Sequence, residues 1–520
     1  MLFNSYEFLF GFLPVTLAGF LLLSQASRQV ALGWLTAASL LFYAWWRPVN
    51  VLIVAPSILV NFLLARALRR LRETGRAPAA GRAVLAAGIV FNILFLGYFK
   101  YTNFLAGVVN DVAGTDLVLA RIVLPLGISF ITFQKIAFLV DVHAGRVTTF
   151  TFGSYLLFVL FFPPLIAGPI VHYRELMPQL DRERKGPRAE DVAVGLTLLA
   201  LGLFKKVILA DGVAPYVTPT YDAAAAGAPI PLVAAWTAAL GFTLQIYFDF
   251  SGYSDMALGL GRSFGVRLPA NFNSPLKATN IIDFWARWHM TLTRFLAAYL
   301  YNPVVLWLNR RRLARGRPGI AGRRTSVATF FQILVGPTML TMGVSGIWHG
   351  AGYTFIVWGL LHGVYLCINH AWRLYGPRRG ASPRFGWLET TAGFGVTFLA
   401  VVVAMVLFRS PTVHVAGTVL SGMAGLSGLG LGSLDLRELA ASAGWIAVLL
   451  TIALALPNSL EIMRRYDPAL DVTPVSRPAP LHVEFPAWRP SLVWGLAVAT
   501  LLGAVVLGLG PQSEFLYWQF

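Results

Sequence analysis

Twelve stretches of this chain are apolar for long enough to cross a membrane as helices, and no other feature restricts its fold so much. They lie near 7–24, 30–46, 49–65, 83–101, 148–171, 191–213, 229–249, 327–347, 352–372, 391–408, 443–459 and 491–510. A span needs roughly 20 mostly apolar residues, because a helix rises about 1.5 Å per residue across a hydrocarbon core about 30 Å thick. The runs are continuous and not alternating, which excludes a strand barrel. Composition agrees, since 57% of the 520 residues are hydrophobic and 12% charged, where a soluble protein carries about 25% charged residues. A disordered chain would be poor in apolar residues. The chain is therefore expected to be an all-α polytopic membrane protein of about twelve transmembrane helices. Residues 1–520 should form one integral-membrane domain, without an internal repeat or a long linker.

The stretch 117–143 is also apolar but is interrupted by Pro125, Gly127, Lys135 and Asp141. It reads as a re-entrant or tilted piece, tolerable in a bilayer only under a cover of protein. No basic residue precedes Arg28, and Asn4, Ser5 and Glu7 follow Met1. The first run should thus stay as a span and not leave as a signal peptide.

The surplus of 41 basic over 23 acidic residues, +18, sits largely in loops. Loop 66–82 carries Arg66, Arg69, Arg70, Arg72, Arg76 and Arg82 against Glu73. Loop 310–324 carries arginines and no acid, loop 373–384 carries Arg373, Arg378, Arg379 and Arg384, and segment 172–191 mixes both signs. Lys and Arg near span ends are retained in the cytoplasm, so all four segments are expected inside and both termini outside. The charge then records topology and calls for no nucleic-acid partner. A single cysteine, Cys367, leaves neither a disulfide framework nor a Cys-based metal cage.

Ionisable groups buried in apolar sequence are costly in a bilayer and point to function. Three clusters qualify: DFSGYSD at 249–255, which ends one span and precedes Gly259, Gly261 and Gly265; DFWARWH at 283–289; and GIWHGAG at 346–352. His349 stands out. Flanking glycines permit close backbone approach, Trp348 excludes water, and an imidazole exchanges protons near neutral pH. If loops 310–324 and 373–384 share one side, the helices between them form a hairpin whose bend carries His349, deep in the bundle or toward the outer face. A histidine that only hydrogen-bonds between helices would have the same spacing. On one continuous helix His349 and His362 would differ by about 220° and 19 Å, so they could not share a metal. No other pair among His143, His172, His289, His370, His414 and His482 completes a haem set. No metal is expected, and His362 and His370 read as packing. Asp249 and Asp255 have three readings: charge balance for His289, His349 or Arg287, an ion path, or helix capping.

Two long motifs add a resemblance. The stretch 245–303, QIYFDFSGYSDMALGLGRSFGVRLPANFNSPLKATNIIDFWARWHMTLTRFLAAYLYNP, and the stretch 346–363, GIWHGAGYTFIVWGLLHG, resemble the membrane-bound O-acyltransferases. The start MLFNSYEFLFGFLPV and the end SEFLYWQF resemble that family's bacterial polysaccharide branch, typified by the membrane protein of alginate O-acetylation. The resemblance implies a helical bundle with re-entrant segments around a central funnel or tunnel, in a bacterial inner membrane. It maps the family's two histidines to His289 and His349, the latter catalytic, and a C-terminal acyl-relay tyrosine to Tyr517. Asp249, Asp255, Asn273, Trp285, Arg287 and Trp348 would shape the site.

The implied reaction takes an acyl group, usually acetyl, from a cytoplasmic donor, acetyl-CoA or an acyl carrier, with no bound cofactor. The group passes outward to a polysaccharide, by way of a periplasmic SGNH-like acetyltransferase partner. One departure stands at Ala297–Tyr301, AAYLY, where the family commonly has Arg-Asp-Tyr before Leu-Tyr; the missing charges are expected near the acceptor side. Two alternatives remain open: O-acylation of peptidoglycan or teichoic acid, the latter of D-alanyl type, and, in a different class, a polymer or ion transporter.

Overall fold

In a solvent that offers no hydrogen bonds, backbone groups must satisfy one another within a helix, and the apolar runs do so. The computed structural model describes residues 1–75, 78–120, 122–181, 186–376, 386–430, 435–472, 485–510 and 515–516, and these residues contain no strand. Tyr517, His482, Arg76, Arg378, Arg379 and Arg384 lie outside them. The first half of the chain supplies α1 (Glu7–Ala26), α2 (Arg28–Ala44), α3 (Val49–Thr74), α4 (Pro78–Ala113), α5 (Ile128–His143), α6 (Phe152–Leu160), α7 (Tyr173–Leu180), α8 (Ala189–Ala225) and α9 (Leu232–Ser263). The second half adds α10 (Met290–Leu296), α11 (Asn302–Leu313), α12 (Val327–His349), α13 (Tyr353–Tyr375), α14 (Trp387–Arg409), α15 (Val413–Met423), α16 (Leu436–Leu454) and α17 (Leu492–Gly508).

Among the described residues, nine helices are long and apolar enough to cross a membrane: α1, α3, α4, α8, α9, α12, α13, α14 and α16. The molecule is thus a multi-pass membrane protein, with fewer full-length spans than the twelve expected. Two expected spans, α2 and α17, are apolar helices of only 17 residues each. The run 148–171 is not one helix. It stops at Leu160, ahead of Pro163, Pro164 and Pro169, which lack the N–H that a helix needs. The irregular stretch 161–171 is buried at every residue, the condition under which non-helical backbone survives at membrane depth. Within 117–143, only α5 is helical, and its Lys135 and Asp141 are buried under protein as expected. Lys135 donates to Ser57 of α3 and lies over the Phe95 ring.

Basic segments gather at one end of the bundle. Arg72 lies against Gly145, Arg146 and Arg174 flank Asp141, and Arg28 pairs with Asp181. The irregular segment 264–280 crosses this end: the Gln179 side-chain amide donates to the Arg267 carbonyl and accepts from its N–H, and Arg373 donates to Asn280. At the other end of α1, the Tyr6 hydroxyl donates to the Val506 carbonyl at 3.3 Å. Residues near both chain ends therefore share a face, opposite the basic one.

The interior is organised on α9, of whose 32 residues 28 are buried. It packs on α8 through glycines facing each other in pairs. A Cβ on Gly195 would lie 2.5 Å from the Gly259 carbonyl, and one on Gly202 would lie 2.5 Å from the Gly252 carbonyl. Absent side chains let the two backbones touch, the usual device for packing helices where lipid removes the hydrophobic drive. Gly202→Leu should separate them at a cost of about 1–3 kcal/mol or more, read as a lower melting temperature of the purified protein in detergent. Gly417→Ala, where nothing lies within 4 Å, should leave that temperature unchanged.

Candidate active site

His349 is the last residue of α12, and Gly350 and Gly352 follow in extended conformation before α13 begins. The hairpin expected from the flanking basic loops is present. Its glycines are needed for contact: a Cβ on Gly350 would lie 2.2 Å from the Phe355 ring, and one on Gly346 would lie 2.3 Å from the Phe355 carbonyl. A helix ends with unsatisfied carbonyls, and here α4 supplies the donors. Lys100 Nζ reaches the carbonyls of Trp348 and His349, the latter at 3.1 Å, and the Tyr101 hydroxyl donates to the Ile347 carbonyl at 2.8 Å. The end of α12 is thereby fixed.

The His349 ring, buried, is walled by aromatics. It meets Trp358 edge to face with centroids 4.9 Å apart and Phe408 at 5.3 Å. Trp358 is in turn 4.9 Å from His362, whose Nδ1 accepts from Trp285 Nε1 at 3.3 Å. His349 and His362 thus stand on two helices, not on the single one assumed for their spacing. The break at 350–352 folds them into one aromatic cluster with Trp358 between them.

His289 reaches the same place from a different direction. It precedes α10 with φ of 44°, in the left-handed region that a side chain occupies at a cost. Its Nδ1 lies 3.2 Å from Asn271 Oδ1, which also accepts from the Thr291 hydroxyl at 2.6 Å. The ring is fully buried, edge-on to Phe250 at 4.9 Å, 6.0 Å from Trp348 and 6.3 Å from His349. Beside His349 opens a cavity of about 120 Å³ lined by Lys100, Leu126, Phe130, Ile166 and Trp348. One water needs about 10–15 Å³, so the cavity has room for a small acyl group next to an imidazole able to take a proton.

Of the other sequence candidates, Trp348 stacks on Phe133 at 5.1 Å and faces both histidines, while Trp285 belongs to the second layer through His362. Asp249 and Asp255 contact neither histidine by an ion pair. α9 does not end at Asp249 but continues to Ser263, and both carboxylates pair with lysines of α8: Lys206 with Asp249 at 2.7 Å, Lys205 with Asp255 at 2.6 Å. Arg287 pairs with Asp283 at 2.8 Å. Asn273 accepts from Asn458 at 2.9 Å and lines a separate cavity of about 710 Å³ at the basic end, with Arg267, Glu461 and Arg464. Segment Ala297–Tyr301 lies at that end too, since the Tyr299 hydroxyl bonds Asp141 and His172 at 3.3 and 3.1 Å. Its missing charges are therefore on the face of the basic loops, not on the opposite face where the acceptor was expected.

Four polar residues of this interior were not singled out in the sequence: Lys100, Lys205, Lys206 and Asn271. The lysines interrupt apolar runs and satisfy the same criterion that selected the aspartates. Asn271 carries no such signal. Asn271→Ala should remove the acceptor shared by His289 and Thr291. Leaving buried donors unmet costs about 1–3 kcal/mol, so acyl transfer should fall about ten- to a hundredfold in assays on protein of unchanged abundance, while Asn271→Asp retains most of it.

Comparison with known proteins identifies the family. Residues 140–316 match MBOAT, the membrane-bound O-acyltransferase family. The chain is 37% identical to the peptidoglycan O-acetyltransferase of Helicobacter pylori, over 83% of this chain and 81% of that one. It is 33% identical to the probable alginate O-acetylase AlgI of Pseudomonas aeruginosa over the full length of both. The teichoic acid D-alanyltransferase of Bacillus subtilis is 26% identical, over 56% of this chain and 69% of that one. Helical architecture, family match and full-length identity above the level of fold likeness agree: the chain belongs to the membrane-bound O-acyltransferase family and is an acyltransferase.

Proposed function

We propose that this enzyme moves an acyl group, acetyl in the simplest case, across the bacterial inner membrane for O-acylation of an exported or cell-surface polysaccharide. The meeting of His349 and His289 beside a cavity of about 120 Å³ carries this reading. The basic end is the cytoplasmic one, by the retention of arginine loops. The donor, acetyl-CoA or an acyl carrier, approaches from that end. The face shared by Tyr6 and Val506 is then periplasmic.

In the first step the Tyr517 phenol attacks the thioester carbonyl while the His349 imidazole takes the phenolic proton. The C–S bond breaks, and the departing thiolate recovers that proton from the imidazole. The product is an acyl ester on the tyrosine oxygen. A hydroxyl of the polymer, or of an SGNH-like periplasmic transferase, then attacks the ester and regenerates the phenol. A positioned base of this kind contributes about 10²–10⁴-fold, and holding donor and acceptor on a dry path supplies much of the rest. His289, oriented by Asn271, packs beside Trp348 and His349.

Two acceptors have support among relatives. The alginate-type reading rests on identity over the whole chain, and the peptidoglycan reading on the 37% identity to the Helicobacter pylori enzyme. Transport through Asp249 and Asp255 finds no support in their geometry, because both carboxylates are held in ion pairs by lysines.

His349→Ala should lower the ester content of surface polymer about a hundredfold or more, measured as acetate released by mild alkali from cells with wild-type amounts of the protein. Unchanged ester would remove His349 as the base. Tyr517→Phe should abolish delivery to the outer acceptor; normal acetylation in that variant would end the relay and leave the family untouched.

A further inference from the structure

The chain's last described residues return into the bundle. Phe515 is 1% exposed, although it follows α17 at the face opposite the basic loops. Its ring meets Tyr253 edge to face at 4.9 Å, and Phe3 stacks on the same tyrosine at 5.1 Å. Residues from near both ends of the chain thus enclose one tyrosine of α9. Beyond Phe515, the backbone N–H of Leu516 donates to Asp249 Oδ2 at 3.1 Å. The other oxygen of that carboxylate pairs with Lys206 at 2.7 Å. Lys206 also holds Asp211 at 2.8 Å and lies 5.0 Å from the Phe515 ring centroid, a cation–π distance.

We propose that the Asp211–Lys206–Asp249 cluster is a docking site for the C-terminal segment of this chain, and that Asp249 is its positioning residue. The placement serves the chemistry. Phe250, the next residue on α9, is the ring that packs edge-on against His289 at 4.9 Å. The docked segment and His289 thus contact successive residues of one rigid helix. The carboxylate is well suited to the task, because a charged acceptor holds a backbone N–H more strongly than a neutral one. Lys206 aims that carboxylate and holds Asp211 as its second partner. The proposal depends on the Tyr517 relay only for its purpose, and the two separate by experiment.

The test uses the full chain, with Cys367→Ser and a reporter Leu516→Cys, which keeps the backbone N–H and the Phe515 ring. Purified protein in detergent is labelled with a small maleimide. The reporter should react slowly in this parent. Asp249→Ala should accelerate labelling about tenfold or more, the equivalent of one hydrogen bond to a charged group. Asp249→Asn, which keeps an acceptor oxygen, should restore much of the protection. A merely structural role would not give that rescue. Should Asp249→Ala fail to fold, Asp249→Leu, which fills the site and leaves Lys206 paired with Asp211, should expose the reporter equally. Labelling within twofold of the parent in either folded variant would overturn the dock. Polymer ester content, measured in the Asp249→Ala chain with Leu516 restored, judges the relay separately. Fast labelling with normal ester would keep the dock and reject the relay.

Discussion

Two consecutive lysines of α8 hold the central helix of the bundle. Lys205 and Lys206 reach Asp255 and Asp249, six positions apart on α9. An uncompensated charge at the centre of a bilayer costs about 2.5–3.5 kcal/mol even on lenient scales, and removing one member of a buried pair typically costs about 3–5 kcal/mol. Neighbours on a regular helix point about 100° apart. The helix here widens into a π-turn at Lys205–Ala210, a distortion common at functional positions, and both lysines meet the same partner helix. The facing glycines of α8 and α9 then let the backbones touch, so charge and close packing fix one register.

That register places the site. α9 carries Phe250 against His289 and Asp249 toward the C-terminal segment. The α12–α13 hairpin brings His349 up from another direction, its end held by Lys100 and its bend closed on Phe355. His289 is kept in a left-handed conformation that costs about 1–2 kcal/mol for a residue with a Cβ, and the Asn271 and Thr291 hydrogen bonds hold it there. The two histidines come from segments 60 positions apart in the chain. Neither helix alone builds the site.

Much of this was legible in the sequence. The hairpin carrying His349 followed from two apolar runs between arginine loops, and the close approach at its bend followed from its glycines. His289 was marked by its charge type in apolar surroundings, and Trp348 by its bulk beside His349. Other readings failed for definable reasons. Mean hydropathy over 148–171 does not register that Pro163, Pro164 and Pro169 break the helix. Treating His349 and His362 as residues of one helix ignored the break between them. Asp249 and Asp255 looked like partners for histidines because sequence gives no distance to a lysine more than 40 residues away. Asn271 was invisible, since one asparagine beside another differs only by where its side chain points.

The sequence by itself determined the solvent, the secondary structure and the reaction family, because each depends on local composition or on contiguous motifs. A long apolar run free of proline forms a helix in lipid because its backbone groups find no other partner, and two long motifs identify a chemistry without reference to distance. The tertiary structure alone decided which polar groups meet. Lys206 chose Asp249, Asn271 chose His289, and the segment at Phe515 turned back into the bundle. Partner choice depends on interhelical register, and register is set by the summed packing of many side chains and glycine contacts, which no local stretch of sequence contains.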